Sequence, residues 1–228
     1  MLTLYELCGK DDERFSPFCW RTRFALAHKE LAATRVPVRF TEKDVIAFSG
    51  QTRVPVLVDG DKVISDSWKI ACHLEEAYPG RPSLFGDDKA HSLTRFIDLW
   101  GTQSLFPPMV RLVLFDVLDH LNVEDAAYIR ETREKQLGIK WQMLREQRDE
   151  HHPLFRQQLA PLRLLLRQQP FLSGLAPAYA DYSVFGLFQW ARMISDYRLL
   201  EVDDPLQEWH RVMADTADKI ASTMGTST

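Results

Sequence analysis

The segment Ser16-Pro17-Phe18-Cys19-Trp20-Arg21, a few residues after the short apolar run Leu2 to Leu7, constrains this chain more than any other. It has the outline of a dithiol redox motif placed where a strand gives way to a helix, with the leading cysteine replaced by serine. Such motifs perform thiol–disulfide exchange because the helix N-terminus stabilises the leading thiolate. Serine cannot be that thiolate. It supplies a hydroxyl at a proline-started helix with unpaired N–H groups, a place suited to a thiolate that arrives with a ligand. Serine before a proline at the first helical position is also a common N-cap, and the two roles are compatible.

The chain has 228 residues and 45% apolar content, enough for two modest domains or one large one with buried cores. A net charge of −4 and the lack of any basic run give no electrostatic reason to expect nucleic-acid or membrane-surface binding, so small molecules or proteins are the expected partners. Cys8, Cys19 and Cys72 have neither a disulfide framework nor metal-ligand spacing. A cytoplasmic, metal-free protein is expected. The start Met1-Leu2-Thr3-Leu4-Tyr5 lacks a charged leader, and charges interrupt every apolar stretch short of membrane-spanning length.

Residues 1–80 alternate strand-like and helix-like patterns. Leu2 to Leu7 reads as a strand, Pro17 to His28 as a helix with a basic last turn, and Val36 to Phe40 as a second strand whose Pro37 marks an edge. This strand–helix–strand unit predicts parallel pairing of the first two strands. After a polar, weakly patterned stretch from Thr41 to Arg53, two β-branched runs around Asp59-Gly60 predict a hairpin within 54–64. Ser65-Asp66-Ser67 then caps a helix running to about Tyr78, and 81–88 reads as a linker. From 89 to 228 the pattern is all-helical, with periodic segments near 89–118, 125–148, 153–169, 179–195 and 205–220.

Four separated features, taken in order, resemble the cytosolic glutathione transferase family. They are Ser16-Pro17-Phe18 with Arg21, Val54-Pro55 opening the hairpin, Asp66-Ser67 at the next cap, and Ala180-Asp181 in the helical part. The flavour of Ser-Pro-Phe-x-Trp-Arg-Thr and Asp-Ser-Trp-x-Ile-Ala is most similar to the bacterial β-aryl-etherase-like branch and its fungal relatives, of serine type. The resemblance spans the whole chain. It implies a thioredoxin-like glutathione-binding domain over 1–80, with a mixed four-stranded sheet and helices, and an all-α domain over 89–228.

By that resemblance the bound tripeptide supplies the missing thiol, and Ser16 is the catalytic hydroxyl that holds it ionised. Tyr5 is a rival hydroxyl inside the first strand. Pro55 would be cis, against the roughly 5–6% frequency of cis X–Pro bonds, and the Val54 backbone would pair with the cysteine of glutathione. Ser67 would hold the γ-glutamyl carboxylate at the helix mouth while Asp66 takes the ammonium. Lys43, Gln51 and Arg53 are the candidates for the glycine carboxylate. Asp181 is expected to be structural, reaching back to the backbone near Ala178, where the usual capping hydroxyl is missing.

Leu7, Phe18, Phe106, Met109, Arg111 and Trp190 are candidate liners of an electrophile pocket between the domains, although such stripes also occur in cores. Phe106-Pro107-Pro108 should break the long helix that begins near Lys89. The implied activity is attack of the glutathione thiolate on an electrophilic, aromatic or hydrophobic small molecule, as in detoxification. β-Aryl ether cleavage, thiol reduction through Cys19, and a non-catalytic ligand-binding module are the alternatives. A homodimer is the family expectation.

Overall fold

A computed structural model describes residues 1–224. Strand β1 (Leu2–Leu7) lies between β2 (Ala33–Val38) and β3 (Val56–Asp59), with β4 (Lys62–Ser65) at the far edge, in the order β2-β1-β3-β4. The β1–β2 pair is parallel, from Leu2 opposite Ala33 to Leu7 opposite Val38, and α1 (Pro17–His28) makes the crossover. Strand β2 starts three residues before the predicted one. Parallel pairing with β1 supplies backbone partners from Ala33 onward, and the strand stops where the Arg39 N–H turns to the Glu42 carboxylate at 3.1 Å. Pro37 sits on this edge strand, where its missing N–H leaves no internal ladder bond unmade.

The hairpin forms as expected, with Gly60 at the turn in the left-handed region at φ +61°. The polar stretch before it holds a 3₁₀ segment, Lys43–Ser49. Helix α2 (Ser67–Ala77) follows the hairpin and buries Ile70, Ala71 and Leu74. A four-stranded mixed sheet with helices, followed by helices alone, is the fold that the resemblance implies.

The helical part contains α3 (Asp88–Trp100), α4 (Phe106–Val113), α5 (Val123–Leu137), α6 (Trp141–Glu146), α7 (Arg148–Gln158), α8 (Ala160–Leu165), α9 (Tyr179–Ile194) and α10 (Gln207–Met224). The expected break at Pro107-Pro108 is a widening rather than a stop. A π-helical segment, Gly101–Leu105, joins α3 to α4. Two successive prolines have no N–H for carbonyls one turn back, and their rings crowd those carbonyls, so the chain opens into the wider helix. The segment expected near 125–148 divides at Gly138, which ends α5 at φ +68°.

Helix α9 is buried on all sides from Tyr179 to Ala191, as an almost wholly apolar helix must be. Its strongest packing partner is α1. Their approach depends on Gly186, where an added Cβ would stand 2.7 Å from the Pro17 carbonyl oxygen. Helix α1 also makes a polar contact with α3 and the π-helical segment. Buried Arg21 donates to Asp98 at 2.9 Å and to Thr102 at 3.2 Å, and Arg95 holds the other Asp98 oxygen at 2.8 Å. Removing Asp98 would leave a buried guanidinium unpaired, an arrangement that burial penalises heavily. Among the described residues no helix is long and apolar enough to cross a membrane.

Candidate active site

A cleft of about 630 Å³ opens where the sheet's loops face α4, α5 and α9. That volume is ordinary for a small-molecule site. One wall carries Leu7, Ser16, Pro17, Phe18, Arg39, Lys43, Arg53 and Val54; the other carries Thr102, Gln103, Phe106, Tyr128, Arg133, Gln136 and Trp190.

Ser16 is 5% exposed and caps α1, its Oγ accepting the Cys19 N–H at 3.3 Å. This acceptor role leaves the hydroxyl proton to be donated. Cys19 lies beneath it, 2% exposed, with Sγ accepting the Leu7 N–H at 3.4 Å. Burial, aided by the Glu6 charge, pushes the Cys19 thiol up to about 12, so this sulfur stays neutral and inert. The Glu6 carboxylate is itself fully buried, held by Arg23 through two bonds of 2.7 Å. Tyr5 does not line the cleft; its ring packs on Phe48 at 5.1 Å between centroids.

The Val54–Pro55 peptide is cis, and Val54 lines the cleft outside the hydrogen-bonded strand. Pro55 is buried and Asp66 and Ser67 start α2; none of the three is among the cleft-lining residues. Asp66 has φ +81°, a sparsely populated region for a residue with a side chain, and its Oδ1 accepts the Trp68 and Lys69 N–H groups at 3.0 and 3.1 Å. Two of the N–H groups expected to be open to a ligand carboxylate are thus occupied by the cap. The Ser67 carbonyl accepts from the buried Tyr179 hydroxyl at 2.9 Å.

Lys43 and Arg53 both line the cleft, with the Lys43 ammonium donating to the Tyr128 hydroxyl at 2.9 Å. Gln51 is exposed and points no contact into the cleft; its N–H goes to Ser49 Oγ at 3.2 Å. Of the candidate electrophile liners, Leu7, Phe18, Phe106 and Trp190 are brought together. Phe106 bridges the aromatic wall, 5.8 Å from Phe18 and 5.3 Å from Trp190, both edge to face. Met109 and Arg111 are not cleft residues. Met109 is fully buried in the core, and the Arg111 guanidinium donates to the Leu137 carbonyl at 3.4 Å. The π-helical segment preceding α4 rotates that helix, so Phe106 and Val110 face the cleft.

Arg39, Thr102, Gln103, Tyr128, Arg133 and Gln136 were not singled out in the sequence. Arg133 lies in Arg130-Glu131-Thr132-Arg133-Glu134-Lys135, a mixed-charge run that reads as a solvated helix face. Only the placement of α5 over the cleft distinguishes this arginine from its neighbours. Burial lowers its pKa from the ordinary guanidinium value, and the Arg53 charge acts in the same direction.

Asp181 reaches back to the Ala178 N–H at 3.3 Å, as expected, and does more. Fully buried, it also accepts the N–H groups of Leu172 at 2.8 Å and Ser173 at 3.0 Å and the Trp209 indole at 2.9 Å.

Comparisons with known proteins agree with this architecture. Residues 92–226 match the family model for the glutathione S-transferase C-terminal domain, and residues 15–77 match that for the N-terminal domain. Curated relatives include glutathione S-transferase Z1 of Arabidopsis thaliana, 41% identical over 69 residues, covering 28% of this chain and 31% of that protein. Glutathione S-transferase Z2 of the same plant is 32% identical over 111 residues, covering 46% and 49%. The matched stretches thus span from a third to half of these relatives. Among solved structures, glutathione transferase GSTFuA3 from Phanerochaete chrysosporium superposes with a TM-score of 0.82 at 22% identity, covering 97% of this chain and 96% of that one. A glutathione S-transferase of Ceriporiopsis subvermispora in complex with glutathione gives 0.84 at 21% identity, covering 96% and 97%. With both family domains matched in order, the chain belongs to the glutathione S-transferase family.

Proposed function

We propose that this protein binds glutathione in the cleft beside Ser16, keeps its thiol ionised, and directs the thiolate at an electrophilic carbon of a hydrophobic, aromatic small molecule. The observation that carries the reading is Ser16 itself, which lines the cleft at the N-terminus of α1 with its Oγ accepting the Cys19 N–H. A thiol of pKa near 8.5 is about 3% ionised at pH 7, and two units of lowering correspond to about 2.7 kcal/mol. One hydrogen bond to a charge contributes about 1.5–3 kcal/mol and the helix terminus about 0.3–1. Together they suffice without a general base.

The Val54 backbone pairs with the cysteine portion of the tripeptide, and Lys43 with Arg53 takes the glycine carboxylate. Ser67 takes the γ-glutamyl carboxylate with its hydroxyl and the N–H of the first helical residue; Asp66 takes the ammonium. The strained Asp66 backbone supports this assignment, since such strain concentrates at binding sites. Burial of Cys19 weighs against thiol reduction through that residue. Retention on immobilised glutathione, with turnover of a chlorodinitrobenzene above the uncatalysed rate, is the expected result. Retention without turnover on a broad electrophile panel would point to a binding module instead.

The same reading includes a homodimer. Leu93 and Phe96 on α3 are 66% and 68% exposed, and with half-exposed Leu99 they form an apolar stripe at helical spacing on the face away from the cleft. A second copy covering this stripe removes it from water. Phe96→Glu is expected to convert a dimer into monomer by analytical ultracentrifugation, and an unchanged sedimentation coefficient would exclude this face.

A further inference from the structure

The cleft is electrostatically one-sided. Arg39, Lys43, Arg53 and Arg133 line it, and no aspartate or glutamate does among the described residues. Glutathione, in the reading above, brings one carboxylate to this region, and Lys43 with Arg53 on the sheet side meets it. Arg133 lies on α5 near enough to Tyr128 and Arg53 for their charges to act on it, and Phe106 and Trp190 line the same cleft. Its guanidinium makes no ion pair among the described residues, and Nη1 donates to Gln136 Oε1 at 3.2 Å. A guanidinium has five N–H donors, and one such bond fixes its orientation while leaving most of them directed elsewhere. The nearby acid Glu134 is engaged with the Trp141 N–H at 2.6 Å and with Lys140 at 3.3 Å. A half-buried arginine with a like charge in the same cleft and no counter-ion is electrostatically unfavourable until an anion arrives.

We propose that the second substrate is an aryl electrophile bearing a carboxylate, with Arg133 as the residue that selects the acid. The aromatic group lies against Phe106 and Trp190, and the carboxylate accepts from the Arg133 guanidinium in the bidentate manner that planar fork allows. This deepens the transferase reading and rests on it. For a chloroarene the reaction balances simply: the glutathione thiolate forms a C–S bond at the ring carbon, and chloride leaves with the electron pair of the C–Cl bond.

The test compares 4-chloro-3,5-dinitrobenzoate with its neutral carboxamide, each rate divided by its uncatalysed rate with free glutathione. The wild-type protein should prefer the acid in kcat/KM by about 10- to 100-fold, the range one charge-assisted pair provides. Arg133→Gln should bring that ratio close to one, Arg133→Lys should retain part of it, and the KM for glutathione should stay within about twofold. An unchanged ratio in Arg133→Gln, or a raised glutathione KM in its place, would assign this arginine to the tripeptide and overturn the inference. If neither arene turns over, the transferase reading fails by itself, and calorimetric titration of the same two arenes decides the acid site. Tighter binding of the acid that needs Arg133 upholds it; equal binding of both arenes rejects it.

Discussion

Replacing Ser16 by alanine is expected to lower kcat/KM at neutral pH about 10- to 100-fold, with little change in glutathione affinity. The magnitude follows from the one interaction lost, a hydroxyl donating to a thiolate, since hydrogen bonds to charged groups contribute about 1.5–3 kcal/mol. The donor stabilises the ionised sulfur and not the neutral thiol, so its removal raises the pKa of the bound thiol. The acid limb of the pH–rate profile should therefore move up by about one to two units, and the deficit should shrink as pH rises through the raised value. Alanine also removes the N-cap of α1, seen in the 3.3 Å bond from the Cys19 N–H, at about 0.5–2 kcal/mol of stability. Ser16→Thr keeps both the cap and the hydroxyl. Retained rate in threonine with loss in alanine separates the chemical effect from the structural one, whereas full activity in both variants would remove Ser16 from the reaction.

The largest effect on stability is expected at Asp181. Its carboxylate accepts from the Leu172, Ser173 and Ala178 N–H groups and from the Trp209 indole, all tied to one fully buried side chain. Asp181→Ala leaves these donors with no acceptor and opens a polar void, a combination expected to destabilise by about 4 kcal/mol. For a chain of this size that corresponds to a fall of about 8–16 °C in Tm. Asp181→Asn keeps one acceptor oxygen and should lose roughly half as much. The disturbance should also reach the ligand site, because the residue at the start of α9, Tyr179, bonds the Ser67 carbonyl across the interface between the sheet unit and the helices. A melting point within about 2 °C of the parent would show that water or a shifted backbone satisfies these groups instead.

The strand–helix–strand unit, the hairpin, the caps at Ser16 and Asp66 and the run of helices were legible in the chain because each is written in short-range signals. Proline at the first turn of α1, glycine in the hairpin and apolar spacing on α2 act over a few residues, within the reach of local physics. The structural role of Asp181 was legible for a similar reason, at its own helix terminus. Its bonds to Leu172, Ser173 and Trp209 were not, since they join segments 9, 8 and 28 residues away.

The cleft divides along the same line. Ser16, Phe18, Arg53 and Val54 stand in it, and so do Lys43, Leu7, Phe106 and Trp190, whereas Pro55, Asp66 and Ser67, also anchored to motifs, do not line it. Met109 and Arg111 follow Phe106 closely in sequence but face elsewhere, because the π-helical segment and the two prolines set the rotation of α4. Gln51 shares the polar stretch with Arg53 and is exposed like it, yet does not line the cleft; the 3₁₀ turn before it directs its N–H to Ser49.

By itself, the sequence determined the elements, the serine in place of a leading cysteine at the head of α1 and the order of the motifs, since these depend on backbone preference and chemistry at fixed spacing. Tertiary structure decided which charges line the cleft. Arg133 sits in a run of mixed charges that local physics treats as solvated, and it becomes a cleft residue only because α5 is packed across the opening. Electrostatic energy depends on distance and burial in space, and neither is carried by separation along the chain.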